Sequence, residues 1–209
     1  MIYITGDTHG DFTRFSAKRL RRTGMELMQE DYIIICGDFG LCWAKDKTFE
    51  YHCKNFAEKP YTILWVQGNH ENYDMIGEYP LEEWHGGKAG GPRSCRQKEN
   101  YRGGLRNLER YHYEVDYVIT HCCGSSLQER LNAGTGRSGA PDLLTDYLET
   151  LEQKLHYQHW YFGHYHRDCQ PDDRHTLVYY AILPLEQKEN ANAVPVPDQT
   201  EGEKDHGKG

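Results

Sequence analysis

The chain lacks the features that would place it in a membrane, a disulfide scaffold or a repeat array. No apolar run approaches the roughly 20 residues needed to span a bilayer. No charged-then-apolar leader precedes the run that begins at Ile2, so neither insertion nor secretion is expected. There is no Cys-x-x-Cys pair and no repeat of fixed period. Net positive charge is missing too: the formal charge is −8, which argues against a protein that grips nucleic acid through its whole surface. Seven cysteines cannot all pair, and 209 residues fit one domain with a sizeable core that needs no disulfide staples. Reduced thiols in a cytoplasmic setting are therefore expected. Zinc ligation by Cys36, Cys42, Cys53, Cys122, Cys123 or Cys169 is the sharper alternative. Cys36 and Cys122, however, sit in or beside apolar strands, where a small buried hydrophobe is the simpler role.

What the chain has instead is polar, ligand-type side chains at the ends of short apolar runs. Ile2-Tyr3-Ile4-Thr5 leads to Asp7 and His9, and the run Tyr32 to Cys36 leads to Asp38. The run Tyr61 to Val66 leads to Asn69 and His70, Val115 to Ile119 leads to His121, and Trp160-Tyr161-Phe162 leads to His164 and His166. Each run is β-branched or aromatic and reads as a strand, usually followed by Gly or Thr and then the polar residue. One such histidine is more often a hydrogen-bonded loop residue than a ligand. Five instances in the same setting point to side chains that converge from distant parts of the chain onto one rigid edge. Together they supply two carboxylates, one amide and at least four imidazoles, a set suited to two divalent metal ions held side by side.

In order, the blocks are Asp7-Thr8-His9, Gly37-Asp38, Gly68-Asn69-His70-Glu71, Thr120-His121 and Gly163-His164-Tyr165-His166. This ordered set resembles the calcineurin-like metallophosphoesterase superfamily, and the resemblance runs from Ile2 to about Leu185. It implies that Asp7, His9 and His166 bind one metal, that Asn69, His121 and His164 bind the other, and that Asp38 bridges them. It also implies a catalytic group of His70, Asp38 and Asn69, with His70 contacting the phosphate or protonating the leaving group rather than ligating. The implied fold is α/β: a four-layer α/β/β/α sandwich of two mixed sheets flanked by helices, over a domain at 1–185.

The chemistry gives its own reasons for such a set. Phosphate esters resist attack because their oxygens are negative, and two metals about 3.5–4 Å apart neutralise that charge and acidify a bridging water to hydroxide. One carboxylate can hold both ions at that spacing. Mixed oxygen and imidazole ligation suits manganese, iron, cobalt or zinc, and is too nitrogen-rich for calcium or magnesium alone.

Between the blocks the pattern predicts helices at 11–23, capped by Asp11, at 45–58, at 127–131 and at 141–155, opened by Pro141, with a closing strand at 176–183. The Lys18, Arg19, Arg21 and Arg22 cluster reads as a solvated helix end rather than a nucleic-acid patch. The tail at 186–209 is polar, contains Pro195 and Pro197, and is expected to be disordered.

Two departures from the family pattern bear on function. In the protein Ser/Thr phosphatases an Asp-Arg pair follows the Gly-Asp block, but here Leu41 and Cys42 stand in those places, which disfavours a protein phosphatase. The segment from Gly86 to Gly104 offers no convincing strand, so a shortened second sheet and a reduced substrate pocket enter the expectation. The same region carries Arg93, Arg96, Lys98, Arg102, Arg106 and Arg110, the last three at helical spacing. They either meet an anionic substrate or, more simply, sit solvated beside Glu99 and Glu109. Tyr73, Trp84 and His85 line a substrate mouth or simply pack.

The expectation is thus a dinuclear-metal phosphoesterase, a phosphatase or phosphodiesterase, acting on phosphate esters, with no membrane partner and nucleic acid only as a candidate substrate. A catalytically inactive binding scaffold on the same fold is the first alternative. A nuclease or cyclic-nucleotide phosphodiesterase with the same metal centre is the second, because specificity lies in loops rather than in the metal blocks.

Overall fold

A computed structural model describes residues 1–84, 87–90, 101–133, 135 and 141–185. The chain runs through β1 (Ile2–Thr5), α1 (Ala17–Arg22), β2 (Tyr32–Ile35), α2 (Lys47–Ala57), β3 (Thr62–Trp65) and α3 (Tyr73–Gly77). A hairpin, β4 (Leu81–Trp84) with β5 (Gly87–Gly90), and α4 (Tyr101–Arg110) follow. The second half holds β6 (Tyr117–Thr120), α5 (Ser125–Asn132), α6 (Leu143–Glu152), β7 (His159–Phe162), β8 (Cys169–Asp172), β9 (His175–Leu177) and β10 (Ile182–Pro184).

These strands form two mixed four-stranded sheets, in the orders β10-β1-β2-β3 and β6-β7-β9-β8. Each has three parallel strands and one antiparallel edge strand, β10 in the first and β8 in the second. Side chains alternate across each strand, and the alternation separates three cores. Ile4, Cys36, Tyr161 and Val178 pack between the sheets, with Ile34 and Ile119 against them. Ile33, Ile35 and Trp65 turn the other way to meet Leu20, Met75 and Ile76, with Phe49 and Phe56 of α2 against them. On the outer face of the second sheet, Trp160, Phe162 and Leu177 meet Leu127, Leu131, Leu148 and Leu151 of α5 and α6. The layers therefore run helix, sheet, sheet, helix, as expected. Among the described residues no helix is long and apolar enough to cross a membrane.

The five predicted strands that feed the polar blocks are all present, within two residues at their ends. Other local expectations need correction. The helix expected over 11–23 is split: Thr13–Phe15 is a 3-10 turn, and α1 begins after Ser16, whose side chain accepts from the Arg19 N–H. Asp11 instead accepts from the Thr13 N–H in a local turn. The helix expected from Pro141 starts at Leu143, because Asp142 and Thr145 close a reciprocal capping box there. The closing strand expected over 176–183 is two strands in different sheets, broken at residues 178–181. Asp168 causes the break: its carboxylate accepts the backbone N–H groups of Tyr179, Tyr180 and Ala181 and so takes them out of any ladder.

The segment read as strandless contains β5, a glycine-rich strand that lacks the β-branched residues that signal one in sequence. Among the described residues each of the two sheets has four strands. The helical spacing of Arg102, Arg106 and Arg110 is realised in α4, with Arg106 and Arg110 exposed. Arg93, Arg96, Lys98, His85 and the tail at 186–209 lie outside the described residues. All six cysteines described are free, and Cys36, Cys42, Cys122 and Cys123 are buried.

Candidate metal centre

The carboxyl ends of β1, β2, β3, β6 and β7 meet at one rim, and the loops that leave them carry Asp7, His9, Asp38, Asn69, His70, His121, His164 and His166. All seven residues predicted as ligands come together there. Asp7, His9 and His166 offer ligand atoms that lie within 4.8 Å of one another, and so do Asp7, Asp38 and His121.

Each carboxylate is tied by one oxygen and presents the other. Asp7 Oδ1 accepts the His164 N–H at 2.9 Å, and Asp38 Oδ1 accepts the His70 N–H at 2.7 Å. Asp7 Oδ2 is left 3.2 Å from His166 Nε2 and 3.7 Å from His9 Nε2, buried and with no hydrogen-bond partner. Asp38 Oδ2 lies between the two histidine groups, 3.4 Å from His121 Nε2 and 3.8 Å from His9 Nε2. A single oxygen of Asp38, rather than its oxygen pair, therefore faces both groups.

The close approach of these loops depends on missing side chains. A Cβ on Gly68 would fall 2.0 Å from Asp38 Oδ1, and one on Gly163 would fall 2.2 Å from Asp7 Oδ1. The glycines that precede the polar residues are thus space for the neighbouring block's carboxylate as well as turn residues.

His121 has a fixed tautomer. Its Nδ1 is 2.8 Å from the Cys36 carbonyl oxygen, which can only accept, so Nδ1 carries the proton and Nε2 presents a lone pair in the neutral ring. That Nε2 is 2.9 Å from Asn69 Oδ1 and 3.1 Å from His164 Nδ1. His9 Nε2 and His166 Nε2 are likewise only 2.9 Å apart. The rim sets acceptor against acceptor, and protonating one ring satisfies one neighbour while leaving the others. A divalent ion resolves the conflict, because donors bound to one ion by bonds of about 2.1 Å lie about 3.0–3.4 Å apart. The donor set and its spacings therefore fit metal.

Protonation follows the same geometry. Burial alone would raise the Asp38 carboxyl, but the hydrogen bond and charge of His121 and the His70 N–H outweigh it and hold the group down to about 2. Burial opposes charge on His121, yet its contact with Asp38 raises it overall. Burial, then the neighbouring His121, lowers His164. Burial likewise lowers His9 against the pull of Asp38 and Asp7.

His70 is exposed and outside both ligand groups, its ring centroid 5.4 Å from that of His9. Two residues matter that sequence reasoning gave no role. Buried Glu71 accepts the Phe39 N–H at 2.9 Å and so fixes the loop that carries Asp38. Burial, reinforced by the Asp38 charge, raises its carboxyl to about 7. Asp168 holds the turn that places the Tyr179 ring parallel to His166, centroids 4.9 Å apart and 18° between planes. The Glu71 signal was present in its block, whereas nothing local marks Asp168.

Against known families, a model for calcineurin-like phosphoesterases matches residues 1–168, so the chain belongs to that family. No curated protein matches the chain. Among solved structures it is similar to a protein of unknown function from Aquifex aeolicus, at 15% identity and a TM-score of 0.40, covering 88% of this chain and 94% of that one. It is also similar to a phosphopantetheinyl hydrolase from Mycobacterium tuberculosis, at 11% identity and a TM-score of 0.37, covering 86% and 89%. At those scores neither neighbour assigns a substrate here.

Proposed function

We propose that the protein is a dinuclear-metal phosphoesterase. Asp7, His9 and His166 would hold one divalent ion, Asn69, His121 and His164 would hold the other, and Asp38 would serve both. Manganese, iron, cobalt and zinc suit this mixed oxygen and nitrogen set. The observation that carries the reading is the crowd of mutually facing acceptors at the rim, above all the buried and unpartnered Asp7 Oδ2.

When bound, two such ions clamp phosphoryl oxygens and lower the pKa of a bound water. The chain's own residues do the rest. The Nδ1 bond to Cys36 orients the His121 ring so that, in its neutral form, the Nε2 lone pair faces the rim, and Glu71 steadies the Asp38 loop. Exposed His70 stands beside His9, where an imidazole can donate a proton to a phosphate oxygen or to a departing alkoxide. Asn69, next to it, offers an amide to the same charge. Phosphate monoesters and diesters, including cyclic nucleotides, are the substrates such a rim accepts.

The test is metal analysis of the purified full-length protein together with hydrolysis of monoesters, diesters, cyclic nucleotides and a phosphopeptide in added Mn2+. Two bound ions and turnover on at least one ester are expected, with Asp38→Asn losing both. Metal without turnover on any ester would make the protein a binding scaffold. An Asp38→Asn protein as active as the parent would remove the mechanism.

A further inference from the structure

Arg14 is a buried cation with no carboxylate at ion-pair distance among the described residues, although it lies directly behind the metal rim. Its two terminal nitrogens are spent on three main-chain carbonyls and one hydroxyl. Nη2 donates to the Asp7 carbonyl at 2.9 Å, while Nη1 donates to Thr5 Oγ1 at 3.0 Å, to the Gly6 carbonyl at 3.3 Å and to the Tyr179 carbonyl. The Tyr180 ring covers it at 4.8 Å. One planar fork thus joins the strand end that presents Asp7 to the crossover turn between the sheets.

That turn is the support of His166. Tyr179 lies flat against the His166 ring, and His166 is among the most solvent-exposed of the predicted ligands, 42% exposed at its side chain. Tyr179 and the edge-on ring of His9, whose centroid is also 4.9 Å away, are the ring contacts that hold its Nε2 at 3.2 Å from Asp7 Oδ2. Other side chains cannot reproduce the fork: lysine offers a point charge, and glutamine one amide nitrogen in place of two guanidinium nitrogens.

We propose that Arg14 is a positioning residue for one ion only, the one served by Asp7, His9 and His166. It sets the separation of Asp7 and His166 by tying the main chain on both sides, with Tyr179 as the relay. The other group, His121 with Asn69 and His164, has no direct bond to Arg14: His121 is held by Cys36, and the group meets the Arg14-bound segment through the His164 N–H on Asp7 Oδ1. The inference rests on the two-ion reading given above.

The experiment counts Mn2+ bound by the full-length protein after dialysis against graded free Mn2+. His166→Ala and His164→Ala serve as references that identify each ion. Arg14→Gln should raise the half-saturation of the His166-dependent ion by about tenfold or more, the usual effect of losing a partner that orients a ligand, and leave the other within about twofold. Arg14→Lys should fall between. Tyr179→Leu should weaken the same ion, and the double variant should shift it by less than the product of the single shifts, since both act through one chain of contacts. Equal weakening of both ions, or of neither, in a folded Arg14→Gln protein would overturn the proposal. If Arg14→Gln does not fold, Tyr179→Leu alone decides: selective loss of the His166-dependent ion supports the relay, and unchanged binding sinks it. A parent protein that binds fewer than two ions would fail earlier, at the two-ion reading itself.

Discussion

At the rim, His121 stands among Asp38, Asn69 and His164. At the opposite end of the second sheet's parallel strands, His175 stands among Asp172, Glu152 and Tyr157. Both histidines are buried beside carboxylates, but their neighbours are satisfied in opposite ways. Around His175 the acceptors have donors within reach. Nδ1 meets Asp172 Oδ1 at 2.7 Å, Nε2 is 3.2 Å from the Tyr157 hydroxyl and 3.3 Å from Glu152 Oε1, and Arg130 donates to Asp172 Oδ2 at 2.7 Å. At the rim, acceptors face acceptors and a buried carboxylate oxygen has no partner. A histidine between acids is thus not a metal site in itself. An excess of lone pairs over protons is what distinguishes one.

Each side of this contrast predicts a measurable outcome. The largest effect is expected at the spacing of the rim. Gly68→Ala would drive a methyl into Asp38 Oδ1 and the Asp38 backbone nitrogen, 2.0 and 2.4 Å from its ideal position. It should empty both ion sites and cost more than about 3 kcal/mol in urea unfolding. Retained metal in that variant would show that the rim tolerates expansion. Next comes the ion itself: at a free concentration of about 100 times its dissociation constant, each bound ion should add about 2.7 kcal/mol to the unfolding free energy, and chelation should remove it. Asp172→Asn should not change that increment. A smaller increment would mean that the His175 cluster also takes metal.

A weaker effect is expected from acid at the His175 cluster. Burial favours the neutral form of Asp172, but hydrogen bonds from His175 and Arg130 outweigh it and hold the carboxyl at about 2, below its ordinary 3.8. Its folded value is depressed, so its contribution to stability is present above about pH 4 and disappears as the pH falls toward 2. Asp172→Asn should flatten the unfolding profile over that window. The difference should be on the order of 1 kcal/mol at low salt and less at high salt, because Arg130 is mostly exposed. The smallest effect belongs to the exposed Lys45–Glu78 pair, where Glu78→Gln should change stability by less than about 0.5 kcal/mol. A larger loss there would mean that exposed charges count for more in this protein than the comparison assumes.

The strands that feed the rim could be read from sequence because their apolar runs are short, β-branched and bounded by glycine or a polar block. The ligand blocks were legible for the same reason, since each lies a fixed few residues beyond its strand. What escaped depends on contacts distant in sequence. Ser16 interrupts a run that looks helical throughout, and the apolar pattern from Thr176 to Leu183 gives no sign that Asp168 will turn the chain across to the other sheet. The β4–β5 hairpin is held by backbone pairing between residues with little strand preference. Nothing in the local sequence marks Arg14, because its worth lies in carbonyls up to 165 positions away.

Four of the predicted ligands, His9, Asp38, His164 and His166, have positive φ, between 45° and 72°. That left-handed corner of conformational space admits asparagine, aspartate and histidine far more readily than β-branched or bulky residues. The backbone therefore filters the alphabet at these places before coordination chemistry is consulted. Anyone retuning the pocket toward a softer or harder cation has a short menu there: imidazole, short carboxylate and short amide, with glutamate and cysteine disfavoured by the fold itself.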